Sequence, residues 1–368
     1  MHSKSITDAV SQRVIGAVAA VAFSLTACNS NEPSNPDIRS QVEPTASAEA
    51  HVPECPTSAE FNAGIDADDV PFYRPAKDAT YEKLQEMIRS DAYDPIDCQL
   101  GRLQQMPQAD WVGDWTGGPE QTRNQVRSIT QAAKQSNTIP LFVGYNIPNR
   151  DVGQYSAGGA AEAKEYMAWT KGFSEGIGKD PAVVIWEPDA VSHAADLPQQ
   201  AQKNRFMLLR TALGQFKAQN PNASMYLDAG NDNWLPPDRQ ARLLRSVDGG
   251  TGVVSGISVN VSNYGSPESS AKYGQRIAAA FGRPLDMLVD TSRSGAPVPD
   301  RQNFCNNPHA RLGELRRPGF DADETVTYAF VKRPLESDGD CGPDHPPAGQ
   351  PHPEFLARLL GLTHPVTS

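Results

Sequence analysis

Residues 182–189 read AVVIWEPD, and this stretch decides the fold. Five apolar residues, Ala182–Trp186, are followed at once by Glu187 and Asp189 on either side of a proline. A short apolar run rich in β-branched residues, stopped by a proline, predicts a strand that is covered on both faces. The two carboxylates would then lie at the carboxyl end of that strand.

The same pattern, an apolar run that ends in polar residues, recurs on both sides of this stretch. The predicted strands are Ile139–Tyr145, Ala182–Trp186, Ser224–Leu227, Val253–Val261, Leu285–Val289 and Thr325–Val331. The predicted helices between them are Ala161–Ile177, Gln199–Gln219, Pro237–Ser246 and Ser269–Phe281. Alternating strands and helices predict βαβ units and a parallel sheet. These six runs, and roughly seven strands in all over about 200 residues, favour a barrel-like sheet over an open one.

The composition is that of a loop-rich globular protein. The chain has 368 residues, 29 glycines, 31 prolines and a formal net charge of -11. Length alone permits two domains, although α/β barrels of this size often form one. The acidic charge argues against a nucleic-acid partner, because phosphate binding relies on clustered Lys and Arg. A coiled coil, a collagen and a polytopic membrane protein are excluded by the composition.

The N-terminal segment has the pattern of an export signal. Lys4 and Arg13 flank a polar start, and the apolar run over 14–27 is too short to span a membrane. The run ends in LTAC at 25–28, which resembles the lipobox of bacterial lipoproteins and implies cleavage before Cys28 and lipidation of Cys28. An ordinary signal peptide with an incidental cysteine is the alternative.

These features predict three segments and a location. We expect a signal peptide at 1–27, a lipid anchor with a polar tether at 28–54, and one catalytic domain at 55–368. The tether has almost no large apolar groups, so it cannot bury enough surface to fold. The protein is therefore expected outside the cytoplasm, held at the membrane through Cys28.

The five cysteines support an exported protein. Lipidation of Cys28 would leave four, which would be oxidised outside the cytoplasm. Proximity along the chain predicts the pairs Cys55–Cys98 and Cys305–Cys341. Each bond would close a loop of about 40 residues and contribute about 3–4 kcal/mol in the chain-entropy model. No closely spaced Cys/His cluster predicts zinc, and no phosphate-binding or dinucleotide motif predicts a cofactor.

Acidic residues follow most of the predicted strands. They are Asp151, Glu187, Asp189, Asp228, Asp290, Glu336 and Asp338. The carboxyl ends of parallel strands form the active-site face of α/β folds, so these groups are expected to converge. Crowded carboxylates raise one another's pKa, which provides the protonated acid and the ionised base that glycoside hydrolysis needs. Mg²⁺ or Ca²⁺ could use the same oxygens, so the carboxylates alone leave both chemistries open.

Aromatic residues near the same rim favour a sugar ligand, because sugar rings stack their C–H faces on aromatic rings. The candidates are Trp111, Trp115, Tyr145, Trp186, Trp234 and Tyr264. Core packing is the alternative for each tryptophan. Trp234 is the strongest candidate, since it lies six residues after Asp228 in the polar loop GNDNWLPP.

Taken in order, these blocks resemble glycoside hydrolase family 6, the inverting endoglucanases and cellobiohydrolases. The matching blocks are GYNIPNRD (144–151), EPD (187–189), YLDAG with Trp234 (226–234), SVNVSNY (258–264), VDTSRSG (289–295), FCNNP (304–308), VKRPLESDGDCG (331–342) and PPAGQ (346–350). The resemblance implies a distorted seven-stranded parallel β/α barrel without a metal. It also implies inverting hydrolysis of β-1,4-glucan.

The resemblance further implies roles for individual residues. Asp189 matches the general acid, and Asp151 matches the aspartate that raises the pKa of that acid. Tyr145 matches the tyrosine beside the distorted sugar. Asp338 is the candidate base, with a water chain to Asp151 as the other route. The residues expected to bind substrate are Trp111, Asp228, Trp234, Asn263, Lys332 and Glu336.

Several positions depart from the family pattern. Val152 replaces a cysteine that commonly follows the N-R-D block, and Asn231 replaces a histidine. Tryptophans common in the family are absent at Pro236–Pro237 and at Gly265–Ser266. The catalytic carboxylates are kept while the aromatic platforms are fewer, so the chemistry is the safer expectation.

The reading from the sequence is a monomeric endo-β-1,4-glucanase that works in an open cleft. The domain has little length for loops that would roof a tunnel, which favours endo-cleavage over processive exo-cleavage. Two alternatives stay open. One is hydrolysis of another β-glucan or of a cell-envelope polysaccharide, and the other is a carbohydrate-binding lipoprotein without catalysis.

Overall fold

The described strands form one parallel sheet. The computed structural model describes residues 72–74, 82, 103, 106–313 and 326–361. The strands are β1 (Asp110–Gly113), β2 (Leu141–Tyr145), β3 (Ala182–Trp186), β4 (Ala223–Asp228), β5 (Gly256–Val259), β6 (Asp286–Asp290) and β7 (Val326–Ala329). Each strand pairs in parallel with the next one along the chain. A sheet wound in this one direction is the arrangement of a β/α barrel.

The two edges of the sheet meet next to β1 and β7. Gln108 forms a parallel bridge with Phe330, and the Ala109 N–H donates to the Phe330 carbonyl at 3.0 Å. Just beyond, the Trp111 indole N–H donates to the Val331 carbonyl at 2.9 Å. The sheet is therefore curled, and the prediction of a distorted seven-stranded parallel β/α barrel is confirmed.

Helices follow most of the strands and cover the sheet. They are α1 (Pro119–Gln135), α2 (Ala163–Ile177), α3 (Ala190–His193), α4 (Gln199–Gln219), α5 (Pro237–Asp248), α6 (Pro267–Phe281) and α7 (Pro353–Leu359). Four of them, α1, α5, α6 and α7, begin with proline. Proline is favoured at the first helical position because its missing N–H would have no partner inside the helix.

The side chains of β3 show how the sheet separates two hydrophobic layers. Val184 and Trp186 pack with the helices, whereas Val183 and Ile185 belong to the cluster between the strands. Alternation along a strand directs successive side chains to opposite faces, which produces this division. Trp186 is fully buried, with its ring 4.8 Å from that of Phe216. Trp186 is thus a core residue, and its interpretation as a rim aromatic is wrong.

The helices approach closely where glycine allows it. A Cβ at Gly172 of α2 would lie 2.1 Å from the Pro119 carbonyl oxygen, and a Cβ at Gly176 would lie 2.6 Å from Val126. Val126 is completely buried at this contact. Burial of a side chain of this size contributes about 1.5–3 kcal/mol.

The predicted elements all occur, most of them with shifted ends, and four of the described strands and helices were not predicted. Val253–Val261 contracts to Gly256–Val259, while the helix predicted at Pro237–Ser246 extends to Asp248. The additional elements are β1, α1, α3 and α7. β1 is only four residues long and begins with aspartate, so it carries little of the hydrophobic pattern that identifies a strand.

One of the two predicted disulfides is confirmed. Cys305 and Cys341 are bonded, with their Cα atoms 6.2 Å apart. Cys28, Cys55 and Cys98 lie outside the described residues, as do the predicted boundaries at 27/28 and 54/55. Among the described helices, none has the length and apolarity needed to cross a membrane.

Candidate active site

The ends of β2 and β3 are joined by a buried carboxylate. The Glu187 carboxylate accepts hydrogen bonds from the N–H groups of Asn146, at 3.1 Å, and Ile147, at 2.9 Å. Burial raises the pKa of Glu187 to about 7, against the opposing effect of these donors. Glu187 therefore holds the polypeptide in place and does not face the rim with the other strand-end acids. Its φ of 52° turns the chain sharply towards Asp189.

Asp189 lies at the start of α3, directly against Asp228 at the end of β4. The Asp189 N–H donates to Asp228 Oδ1 at 2.9 Å, and the Ser258 hydroxyl donates to Oδ2 at 3.2 Å. Asp228 is 1% exposed, so its oxygens are directed at the protein. Burial raises the pKa of Asp228 to about 6.

A third carboxylate comes from the loop after β2. The nearest side-chain oxygens of Asp151 and Asp189 and a ring nitrogen of His193 all lie within 4.8 Å of one another. Asp151 Oδ2 accepts from the Ser156 N–H at 2.8 Å. Burial raises the pKa of Asp189 well above its ordinary value, and Asp228 and Asp151 raise it further. We call Asp151, Asp189 and Asp228 the acid cluster; within it, the raised pKa suits Asp189 to holding a proton.

The loop that carries Asp151 has an unusual backbone. Asn149, Asp151 and Val152 have φ values of 53°, 56° and 49°. Left-handed conformations are uncommon outside glycine and are most costly for a β-branched residue such as valine. Arg150 stabilises the loop by donating to the Tyr145 carbonyl at 2.8 Å and by pairing with Asp114 at 2.7 Å.

Tyr145, at the end of β2, lies between an aromatic neighbour, Trp111, and a cationic one, Arg150. Its ring makes an edge contact with Trp111, with centroids 5.5 Å apart, and the Arg150 guanidinium lies 4.6 Å from its centroid. Burial, followed by Asp189 and Asp151, raises the pKa of Tyr145 well above its ordinary value. The phenol is therefore neutral beside the acid cluster.

Asp338 belongs to a second group of charges. Its oxygens lie 2.6 Å from Arg293 Nη1 and 3.7 Å from Lys332 Nζ. The Asn306 N–H and the Tyr264 hydroxyl also donate to Asp338, at 2.9 and 3.1 Å. Burial alone would raise the pKa of Asp338, but Arg293 and Lys332 bring it below its ordinary value. We call Arg293, Lys332 and Asp338 the arginine cluster.

Of the remaining predicted substrate residues, Glu336 and Trp234 lie next to these clusters. Glu336 lies 4.0 Å from Lys332 Nζ and 3.6 Å from Arg333 Nη1, so it extends the arginine cluster. Trp234 is half-buried and meets the His193 ring at 4.7 Å, which places it beside the acid cluster. Asn263 is half-buried and its side chain donates to the Val261 carbonyl at 3.0 Å.

The comparisons with known proteins agree with this geometry. The family description "Glycosyl hydrolases family 6" matches residues 69–361. The chain belongs to glycosyl hydrolase family 6.

Individual relatives of this family 6 chain are enzymes with related names. Endoglucanase 1 of Streptomyces halstedii is 36% identical over 260 residues, which are 69% of this chain and 78% of that protein. Endoglucanase A of Cellulomonas fimi is 34% identical, with 68% of this chain and 53% of the relative covered, so the chain spans about half of its length. The structure of the endoglucanase Cel6 from Mycobacterium tuberculosis, in complex with methyl-cellobiosyl-4-deoxy-4-thio-β-D-cellobioside, superposes with a TM-score of 0.72 at 32% identity, covering 79% of this chain and 96% of that one.

Three residues of this family 6 site were not assigned a role from the sequence. Arg293 pairs with Asp338 and Arg150 with Asp114, each a partner distant in the sequence. His193 contacts Asp151. The spacing in the sequence could have indicated a role for His193, because it lies four residues after Asp189, which is about one helical turn. Asp290 was grouped with the rim acids, but it is 1% exposed and accepts from the Lys332 N–H at 3.0 Å, which is a structural role.

Proposed function

We propose that this chain is an endo-acting β-1,4-glucan hydrolase that inverts the anomeric centre, with Asp189 as the general acid. The observation that carries the proposal is the acid cluster, because burial of Asp189, together with the nearby Asp228 and Asp151, raises its pKa well above that of an isolated aspartate. The endoglucanase names of the relatives, and the cellobioside bound in the Mycobacterium enzyme, support the same activity.

The proposed reaction needs one proton donor and one water. Asp189 transfers its proton to the glycosidic oxygen as the bond between that oxygen and the anomeric carbon breaks. A water adds to the anomeric carbon from the opposite face and loses a proton, so the product hemiacetal has the inverted configuration. The positive charge that develops on the sugar is stabilised by the ionised carboxylates nearby.

The contacts of Asp338 favour the route in which a water chain carries the second proton to Asp151. Both oxygens of Asp338 are engaged by Arg293, and the lowered pKa makes it a weak proton acceptor. Direct proton transfer to Asp338 is the alternative. In either case the arginine cluster supplies a fixed charge at the site.

Substrate contacts are proposed on both sides of the cleavage point. Trp111 and Trp234 are half-buried and offer ring surface to sugars, while Tyr145 lies beside both the acid cluster and Trp111. The polar contacts are proposed for Asn263, Lys332 and Glu336. Asp228 is proposed to act on the substrate indirectly, through the pKa of Asp189, because its own oxygens are occupied by Asp189, Gly230 and Ser258.

The proposed setting is extracytoplasmic. The export pattern over 1–27 and the LTAC segment support lipidation at Cys28, and the confirmed Cys305–Cys341 bond supports an oxidising compartment. We propose that the enzyme acts as a monomer, tethered to the membrane by residues 28–54. Metabolic labelling with a fatty-acid probe, comparing the parent with Cys28→Ser, tests the anchor.

The activity is tested by comparing the parent with Asp189→Asn on carboxymethyl cellulose and cellohexaose. Endo-cleavage gives a steep loss of viscosity for few new reducing ends, and the substitution should slow both by about 10²–10⁴-fold. Asp180→Asn is the matched control, because Asp180 pairs with the exposed Lys134 on the surface. A folded parent that degrades neither substrate would contradict the proposal and direct attention to envelope polysaccharides and to binding without catalysis.

A further inference from the structure

His193 connects three parts of the site. It is the last residue of the four-residue helix α3 that begins directly after Asp189, and its backbone N–H donates to the Asp189 carbonyl at 2.9 Å. Its side chain is 13% exposed, with Nε2 3.4 Å from Asp151 Oδ1. Its ring meets the ring of Trp234 at 4.7 Å and an angle of 76°. One imidazole, carried by the helix after β3, thus contacts both the loop after β2 and the loop after β4.

His193 contacts Asp151 from a different segment, because His193 lies on α3 and Asp151 on the loop after β2. Ser156, which donates to the other oxygen of Asp151, belongs to the same loop. That loop is strained at Asp151 and Val152, whose φ values are 56° and 49°. A strained segment keeps its conformation only where neighbouring groups hold it, and His193 is placed to do so.

The contact with Trp234 has a different consequence. Edge-to-face aromatic pairs are stabilised beyond the burial of their area, which favours one orientation of the indole. Trp234 follows the polar segment 230–233 and is half-buried. A platform fixed before a sugar arrives loses less entropy on binding.

We propose that His193 is a positioning residue, whose imidazole holds the Asp151 carboxylate beside Asp189 and fixes the Trp234 ring as a platform for a glucosyl unit. The proposal rests on the proposed glucan hydrolysis for its second half. A residue that only filled space here would need no ring nitrogen at 3.4 Å from a carboxylate.

The charges around His193 are defined. Asp151 faces it from the loop after β2, and Asp189 from the position directly before its own helix. From the neighbouring helix α5, Arg239 reaches the residues just after His193, where it donates to the Ala195 carbonyl at 3.3 Å and lies 3.6 Å from Asp196. Because Asp151 raises the pKa of Asp189, loss of the contact between His193 and Asp151 should let Asp151 move away and lower the pKa of Asp189. The alkaline limb of kcat would then move to lower pH, because the acid loses its proton sooner.

Two variants of the full-length protein separate the two contacts. His193→Phe keeps a ring against Trp234 but removes the nitrogen, so kcat should fall about tenfold and its alkaline limb should move to lower pH, with little change in KM. His193→Gln keeps a nitrogen donor at similar reach but removes the ring, so the pH profile should be retained while KM for cellohexaose rises about threefold. His309→Phe and His309→Gln are matched controls, because His309 is exposed.

A readout without substrate makes the test independent of the proposed function. The carboxyl ¹³C resonance of Asp189 should titrate at lower pH in His193→Phe than in the parent, and at the parent value in His193→Gln. Equal titration in all three proteins would overturn the positioning role, as would equal losses of kcat with an unchanged pH profile. An inactive parent that still shows the lowered Asp189 titration would reject glucan hydrolysis and keep the role of His193 towards Asp151.

Discussion

The acid cluster and the arginine cluster place similar carboxylates in opposite electrostatic surroundings. Asp189 and Asp338 are both largely withdrawn from water, which by itself raises the pKa of each. Asp189 has two further carboxylates as neighbours, and its pKa rises more. Asp338 has Arg293 and Lys332, and its pKa falls below the ordinary value. The neighbours, not the burial, decide which aspartate can give a proton.

This difference also indicates which cluster can transfer protons and which supplies a fixed charge. A group that must exchange a proton during turnover cannot be fixed by a close ion pair, because the pair stabilises one protonation state. Asp189 has no such cationic partner among its pKa determinants, whereas Asp338 is held 2.6 Å from a completely buried guanidinium. The acid cluster is therefore suited to proton transfer, and the arginine cluster to providing a constant field.

The largest expected effect comes from removing the proton donor. Asp189→Asn should reduce kcat for cellohexaose by about 10²–10⁴-fold, the usual contribution of a general acid, without loss of thermal stability. The sharper measurement uses an aryl cellobioside with a good leaving group. Such a substrate needs little protonation, so the loss should be much smaller there. An equal loss on both substrates would mean that Asp189 is not the acid.

The next effect tests the arginine cluster. Arg293→Met leaves Asp338 buried without its closest cation, which should lower the free energy of unfolding by about 3–5 kcal/mol in denaturant titrations. The double variant Arg293→Met/Asp338→Leu removes the stranded charge and should recover most of this loss. A double variant as unstable as the single one would show that the pair contributes more than charge neutralisation.

The two predictions concern Asp189 and the Arg293–Asp338 pair. The sequence pointed to the first but not to the second. The order of strands and helices predicted the barrel-like sheet, and proximity along the chain predicted the Cys305–Cys341 bond, because local patterns carry that information. The role of Asp189 came from the family resemblance and stays a prediction. The pairing of Arg293 with Asp338 spans 45 residues, and nothing local to either residue identifies its partner. The distinction between a rim aromatic and a core aromatic has the same origin. Trp186 is the last residue of an apolar strand, and the alternation of β3 assigns it to the helix side, where Phe216 covers it.

Glu187 shows a related limit. It lies two residues before Asp189 in the same EPD block, yet its carboxylate accepts from the backbone N–H groups of Asn146 and Ile147 instead of joining the acid cluster. The left-handed conformations of Glu187 and Asp189 decide which acid is directed inwards. The block predicts a turn at this point but does not predict which side chain the turn exposes.

A smaller effect is expected when one neighbour of the acid is neutralised. Asp228→Asn retains an oxygen for the Asp189 and Gly230 N–H groups but removes the charge that Asp228 gains above about pH 6. The pKa of Asp189 should fall, because a negative neighbour disfavours its ionised form. The alkaline limb of kcat should therefore move to lower pH, leaving the rate near pH 5 within about threefold of the parent. A limb that moves to higher pH would mean that Asp228 lowers the pKa of Asp189, which would contradict the prediction.

The smallest effect separates burial from neighbouring charge, because Glu187 is buried without a carboxylate among its main pKa determinants. Burial raises its pKa from 4.5 to about 7, so the folded protein binds this proton more tightly than the unfolded chain does. Stability from this proton is fully present below about pH 4.5 and is lost as the pH rises through about 7. In Glu187→Gln this titration is absent, so the thermal midpoint should decline less steeply between these pH values than in the parent. Glu120→Gln is the control, since Glu120 is exposed on α1 and leaves the slope unchanged. Parallel slopes in parent and Glu187→Gln would mean that the hydrogen bonds from Asn146 and Ile147 fully offset the burial, and that neighbouring charge alone sets pKa values in this site.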